Sequence, residues 1–263
     1  MDTTLAKGLH VLEFLARLPE GARVADVAAE LGLARSNAHR TLQTLVQCGW
    51  ANQDAKNSSY RASLKLFELG ALVDGAVDLK TLLHPHLAQL AKATGETIHL
   101  AVLQGSEIVY LDKFDSPLPV AAYSQIGGRA PAHCVASGKA LLAALHFNAH
   151  ALQTQLGPLQ AHTPNTITNV QSLETELIKS RSQGWAENRE EWRLGVCGLG
   201  VPVFNARAEP VAAIGMSVPS IRFTRTQARA MALKLCNTAL QASQALGFSP
   251  VHLTPNHPAR RSR

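Results

Sequence analysis

The apolar positions of this chain alternate between helical spacing and a period of two. Val24, Val27, Ala28 and Leu31 fall at helical spacing, Gly32 and Leu33 interrupt, and Ala38, Leu42, Leu45 and Val46 resume it, which predicts two short helices that cross. Burying the Ala38/Leu42/Leu45 stripe leaves Arg35, Ser36, Asn37, His39, Arg40, Gln43 and Thr44 on the rest of the second helix. Short polar and cationic groups of that kind suit base edges and phosphates. An ordinary helical hairpin with a solvated outer arc shows the same pattern. The segment after Gly49 favours the DNA-binding reading: W-A-N-Q, the turn-rich D-A-K-N-S-S and Y-R-A-S predict a hairpin with Lys56 and Asn57 at its tip, and a helix-turn-helix joined to a hairpin is a winged helix. Leu5, Leu9, Leu12 and Ala16 are the expected inward stripe of a preceding helix, ended by Pro19-Glu20-Gly21.

Past the hairpin, Ser63 is the expected N-cap for an apolar helix from Leu64 to Val73, a linker and dimer contact. A run from about Leu79 to Ala93 is helical, with Pro85 expected to kink or split it. From Glu96 the period is two. T-I-H-L-A-V-L-Q and E-I-V-Y-L-D-K-F flank Gly105-Ser106, a hairpin turn, and P-L-P-V-A-A-Y is expected as a third strand. Small residues from Gly127 to Cys134 lead into a helix from about Val135 to Leu145, a glycine-rich approach that suits an anion. Helices are expected at about 148–156 and 170–183, then strands V-C-G-L-G-V-P-V-F and P-V-A-A-I-G-M-S-V, then a helix from Thr224 to about Leu246 opened by a capping-box spacing. The expected class is α/β (α+β): a winged helix-turn-helix over 1–62, a linker helix over 63–78, an antiparallel sheet flanked by helices over 79–248, and a disordered basic tail over 249–263.

The run K-G-L-x-V-L-E at Lys7, R-T-L-Q-T-L-V-Q-C-G at Arg40 and R-A-P-A-H-C-V-A-S-G-K-A-L-L-A at Arg129 resemble the IclR-type family of bacterial transcriptional regulators. T-P-N-T-I-T at Thr163, R-S-Q-G-W-A at Arg181, E-E-x-x-x-G-V at Glu190 and V-A-A-I-G-M-S-V-P at Val211 continue in the family's order. The resemblance implies a GAF-like effector-binding domain, dimers or tetramers on a near-palindromic double-stranded operator, and modulation by a small organic acid. Departures bear on the ligand: Gly198 stands where many members carry cysteine, Gly215 where many carry serine, and Asn188 where an acidic side chain is common. The expected effector residues are Gly128, Arg129, His133, Val135, Ser137, Asn188, Glu190, Cys197, Gly198, Gly215 and Ser217, with Arg129 and His133 as cations and the α-helical amides near Val135 and Ala136 as anion donors. The two missing side chains favour an aromatic or extended carboxylate.

Composition narrows this little. The chain has 263 residues, 46% hydrophobic and 17% charged, the profile of a folded globular protein. Its net charge of +6 is uneven: residues 217–263 hold seven Lys or Arg and no acid, leaving 18 basic against 19 acidic groups before them. Overall basicity therefore says little about the winged helix. Cys48, Cys134, Cys197 and Cys236 form no C-x-x-C pair, so neither a zinc knuckle nor a disulfide framework is expected, and no metal or cofactor. The first apolar run is broken by Glu13 and Arg17, and no stretch approaches a membrane span, so a cytoplasmic protein is expected.

Catalysis by Cys197, His133 and Lys139 would need an activated thiolate with a base in reach. A cysteine in an apolar strand reads first as core, and the phosphate-loop and dinucleotide patterns fail at His133, at Ala140 and in the strand context of Gly195 to Gly200. A non-enzymatic regulator is expected. The alternative is a constitutive DNA-binding protein whose larger domain only oligomerises.

Overall fold

The computed structural model describes residues 3–71, 76–121 and 124–249. It contains two compact units, residues 1–77 and 78–263. The first comprises α1 (Thr3–Ala16), α2 (Val24–Glu30), α3 (Arg35–Gln47), the hairpin β1 (Ala51–Gln53) and β2 (Tyr60–Ala62), and α4 (Lys65–Ala71). Val11, Leu15, Val27, Ala28, Ala38 and Leu42 meet in one core, joined by Ala22, Ala51 and Tyr60 from the hairpin side. Main-chain bonds between Ala22 and Tyr60 at 2.8 and 2.9 Å tie the wing to the segment before α2. The stripe expected for α1 holds only at Leu12: Leu5 and Leu9 are 62% and 52% exposed, Ala16 is exposed too, and Val11 and Leu15 turn inward beside Leu12. Helix α1 carries apolar residues on two arcs, and only packing against α3 selects between them. Leu72 and Val73, the end of the expected linker helix, lie outside the described residues, as does the tail beyond Ser249.

The second unit holds α5 (Ala76–Thr94), β3 (Thr97–Gln104), β4 (Glu107–Phe114), β5 (Arg129–Pro131), α6 (Ala136–Ala144), α7 (Ala149–Leu156), α8 (Val170–Gln183), β6 (Ala186–Arg189), β7 (Val196–Phe204), β8 (Pro210–Pro219) and α9 (Arg225–Ala245). Its strands pair in the order β5-β4-β3-β8-β7-β6, antiparallel throughout. Leu83, Leu87 and Leu90 of α5 and Leu235 and Ala239 of α9 cover one face through Ile98, Leu100, Leu199 and Ile214. Leu141 and Leu142 of α6 and Leu173 and Leu177 of α8 cover the other through Ala101, Ile108, Ala186 and Ala213. Alternation along each strand sorts the two sets, as expected for a sheet buried on both faces.

Two expectations give way in this unit, and one strand escapes the sequence pattern. Helix α5 is not split at Pro85: Pro85 is on the exposed side, where water can satisfy the carbonyl one turn back, while the buried leucines on both sides of it hold the helix to the sheet. Residues 117–121 form no strand, Ala122 and Tyr123 lie outside the described residues, and the strand beside β4 is β5. Edge strand β6, within the R-S-Q-G-W-A segment and the residues after it, has only four residues, too few to show a period of two.

Helix α6 is set unusually close to the sheet. A Cβ on Gly200 would collide with the Ala136 carbonyl, one on Gly138 with the Ala132 backbone, and one on Gly215 with Ser137 Oγ. Gly200 and Gly138 are therefore required by close approach of backbone, whereas at Gly215 the obstacle is the Ser137 side chain. Lys139, fully buried in this helix, donates to both Glu191 oxygens at 2.7 and 2.9 Å. Thr163 Oγ1 donates to the Glu190 carbonyl at 2.7 Å and Thr166 Oγ1 to the Glu191 carbonyl at 2.6 Å, so T-P-N-T clasps the turn that carries the carboxylate. Removing one partner of a buried pair leaves an uncompensated charge, which costs about 3–5 kcal/mol. Lys139→Met is accordingly expected to lose about that much in urea denaturation, and Lys139→Met with Glu191→Leu to recover most of it. A single variant no less stable than the double would show that the pair does not clamp the turn.

Candidate DNA surface and effector cavity

On α3 the side chains of Arg35, Ser36, Asn37, His39 and Arg40 are exposed, because Ala38 and Leu42 take the inward arc. Arg40 donates to Asn37 Oδ1 at 3.2 Å. Gln43 differs: it is half-buried and donates to the Tyr60 hydroxyl at 2.9 Å, bracing the helix against the wing. At the wing tip Lys56 and Asn57 are exposed, with Asn57 Oδ1 accepting from the Ser59 amide at 2.9 Å to hold the turn. Arg61, on the same wing, is paired with Glu20 at 3.6 Å. Arg35, Arg40 and Lys56 are exposed cations of α3 and the wing outside that pair.

In the second unit a cavity of about 240 Å³ opens where β3, β7 and β8 meet the start of α6. Gly128, Arg129, Val135, Ser137, Asn188, Gly198 and Ser217 line it. Four other residues expected there do not. Cys197 points to the opposite face of the sheet, since it alternates with Gly198. Glu190 accepts from the Gly195 amide at 2.9 Å and closes its own loop. Gly215 leaves no vacancy, because Ser137 Oγ fills the space its side chain would take. His133 sits with Cys134 and His162, and its Nε2 meets the Gln160 carbonyl at 3.2 Å. Arg129, although at the wall, is engaged by Glu107 at 3.0 Å and Gln104 at 2.7 Å.

The cavity also takes His99, Tyr110, Ser124, Gln125, Trp192 and Arg193, none of which the motifs singled out. His99 interrupts an apolar strand, a signal that could have been read. Tyr110 could not. The β3–β4 register shifts between Leu100 and Ala101, so Tyr110 opposes Ala101 while Asp112 opposes Leu100, and the two fall on opposite faces. Strict alternation would place them together. Asp112 accordingly meets His84 of α5 at 2.6 Å, and Tyr110 stands beside His99 with ring centroids 4.9 Å apart.

His99 shares hydrogen bonds with Ser217 Oγ at 2.9 Å and Ser124 Oγ at 3.1 Å. Burial, reinforced by Lys113 and opposed by Asp115, lowers its pKa to about 4. The imidazole is therefore neutral, with one donor and one acceptor nitrogen. Burial raises Tyr110 to about 12 against the pull of Arg193, so its hydroxyl keeps its proton. Val135, the N-cap of α6, offers no side-chain oxygen to the first-turn amides, and Val135, Ala136 and Ser137 line the cavity. Neither thiol near α6 is activated: burial pushes Cys134 up to about 12 and also raises Cys197. Among the described residues no helix is long and apolar enough to cross a membrane.

Comparisons with known proteins match these features. Residues 4–55 fit the IclR helix-turn-helix domain and residues 72–244 the bacterial transcriptional regulator IclR C-terminal domain. The chain belongs to the IclR family of transcriptional regulators. It is 32% identical over 247 residues to the HTH-type transcriptional regulator XynR of Escherichia coli, covering 93% of this chain and 97% of that protein. The crystal structure of the Thermotoga maritima IclR superposes with a TM-score of 0.77 at 31% identity, covering 94% of this chain and 100% of that one. An IclR homolog from Microbacterium hydrocarbonoxydans, complexed with 4-hydroxybenzoate, shares the fold with a TM-score of 0.79 at 22% identity over 93% and 99% of the two chains. The relatives are named as regulators of transcription.

The depressed His99 pKa has a measurable consequence. Above the unfolded value near 6.5 both states hold the ring neutral. As pH falls toward 4 the unfolded chain takes up a proton that the native chain refuses, and stability drops by on the order of 3 kcal/mol. His99→Gln should flatten the decline in urea midpoint between pH 7 and pH 4.5. An equally steep decline in the variant would assign the acid sensitivity to other groups.

Proposed function

We propose that this chain is a ligand-responsive regulator whose C-terminal cavity holds a small aromatic carboxylate and whose winged helix reads a near-palindromic operator as a dimer or tetramer. One observation carries the ligand reading: the side-chain-uncapped start of α6 meets the cavity beside Ser137, Ser217 and Asn188. Backbone amides at a helix start, with hydroxyls beside them, hold an anion without a buried cation. Exposed Arg193 supplies positive charge among the lining residues, in place of Arg129 and His133. Tyr110, Trp192 and His99 supply flat walls, and about 240 Å³ exceeds the roughly 150 Å³ that accommodates benzene in an apolar cavity. A Cβ on Gly198 would stand 3.0 Å from the Met216 carbonyl and 3.6 Å from Ala136 Cβ, so this glycine packs the wall and does not enlarge the cavity. The 4-hydroxybenzoate bound by the Microbacterium protein is a guest of this chemical class.

The DNA reading assigns Arg35, Ser36, Asn37, His39 and Arg40 to the major groove and Lys56 and Asn57 to the flanking backbone, with Gln43 bracing the wing. A single winged helix covers a half-site, so two are needed for a palindrome. Leu64 and Phe67, 77% and 74% exposed around the start of α4, offer apolar area for self-association.

A thermal-shift series of substituted benzoates should raise the melting temperature, by the equivalent of about 2.7 kcal/mol at a ligand concentration of 100 times Kd. Ser217→Leu should abolish the shift while folding normally. Retained affinity in that variant would move the ligand elsewhere, and no response to any carboxylate would favour a constitutive DNA-binding protein. In gel-shift titrations at fixed salt, Arg40→Ala is expected to weaken operator binding by about 1–3 kcal/mol. Unchanged affinity would remove Arg40 from the interface.

A further inference from the structure

We propose that His133, Cys134 and His162 form a zinc site, one per chain, at the approach to α6. One donor atom from each of the three lies within 4.8 Å of the others. His133 and Cys134 are consecutive residues in a tight turn closed by the Cys134 amide on the Pro131 carbonyl at 3.1 Å. His162 arrives from the segment between α7 and α8, its amide held by Thr166 Oγ1 at 3.0 Å. The motif spacing along the chain conceals this group, since no C-x-x-C or H-x-x-x-H pair is involved.

The donor set selects the metal. Two imidazoles and a thiolate suit zinc and exclude the oxygen-seeking magnesium and calcium. Zinc binds nitrogen and sulfur at about 2.0–2.3 Å, which puts tetrahedral ligand atoms roughly 3.3–3.7 Å apart. Closing the observed triangle therefore requires about 1 Å of movement, and exposed His162 can supply it by turning its ring. The hydrogen bond from His133 Nε2–H to the Gln160 carbonyl at 3.2 Å puts the lone pair on Nδ1 and orients the ring. A carbonyl partner of this kind is what supports a metal-bound imidazole. On binding, the Cys134 thiol gives its proton to solvent and the sulfur becomes the anionic ligand. Nearby Lys139 does not oppose the metal with a net charge, because Glu191 neutralises it at 2.7 Å. Three protein ligands leave the fourth position for water, and the exposure of His162 provides the entry path.

The site also reaches the cavity. The His162 ring meets Trp192 edge-on, centroids 4.5 Å apart, and Trp192 lines the cavity. Capturing His162 on a metal changes that contact and hence the Trp192 fluorescence. The three side chains alone carry the metal site, which does not depend on the identity of the effector.

The test uses the full chain, stripped with a chelator and dialysed, then titrated with cobalt(II) as a spectroscopic substitute for zinc. One equivalent should produce the visible bands of tetrahedral cobalt and a near-ultraviolet thiolate-to-metal band, with a change in tryptophan emission. Zinc should displace it. Cys134→Ser should remove the thiolate band, and His162→Ala, an exposed position that leaves the fold intact by circular dichroism, should weaken zinc roughly tenfold or more. Cys48→Ser should change neither. A folded chain that takes up no cobalt or zinc would overturn the proposal. So would binding that survives both Cys134→Ser and His162→Ala, or that is lost in Cys48→Ser.

Discussion

The second unit depends on how closely the start of α6 is pressed against its sheet. Backbone carbonyls and a serine hydroxyl occupy the places where Gly200, Gly138 and Gly215 would carry side chains. That approach buries Lys139, and a buried ammonium is tolerable only with a partner. Glu191 is that partner, and because it sits in the turn between β6 and β7, the ion pair pins this turn over the helix. Asn188 joins the same arrangement by accepting from the Glu191 amide at 2.9 Å. The cavity is the space left beside this clamp.

The clamp accounts for why scattered motifs serve one structure. The G-K of α6 supplies close approach and cation, the E-E turn supplies the carboxylate, and T-P-N-T supplies hydroxyls that hold the turn's carbonyls. A lysine that could be cast as a phosphate ligand or catalytic base is instead consumed by structure. What lines the cavity is neutral His99, protonated Tyr110 and the hydroxyls of Ser124, Ser137 and Ser217, beside the start of α6. The buried thiols of Cys134 and Cys197 are driven away from the thiolate form, which is the opposite of what nucleophilic catalysis requires.

The first unit obeys a different constraint. Its core is small, so Tyr60 from the wing is fully buried to complete it, and Gln43 is spent on the Tyr60 hydroxyl. This bond ties α3 to the wing across the small core. It also takes one polar residue of the outer arc out of the set available to bases.

Local sequence by itself determined most of the helices, the long strands, the Gly105-Ser106 hairpin and the capping box at Thr224, because each rests on contacts a few residues apart. It also marked the segments that border the cavity, since glycine and serine patterns report close packing wherever the partner lies. Which arc of α1 turns inward, whether Pro85 breaks a helix, and the pairing of β5 and β6 were settled only by tertiary packing. The same holds for the site's chemistry. One register shift in β3–β4 sends Tyr110 into the cavity and Asp112 away from it, strand alternation turns Cys197 from Gly198, and His133 is taken up by Gln160 and the cysteine–histidine group. Direction of a side chain depends on long-range pairing, and no local pattern encodes that.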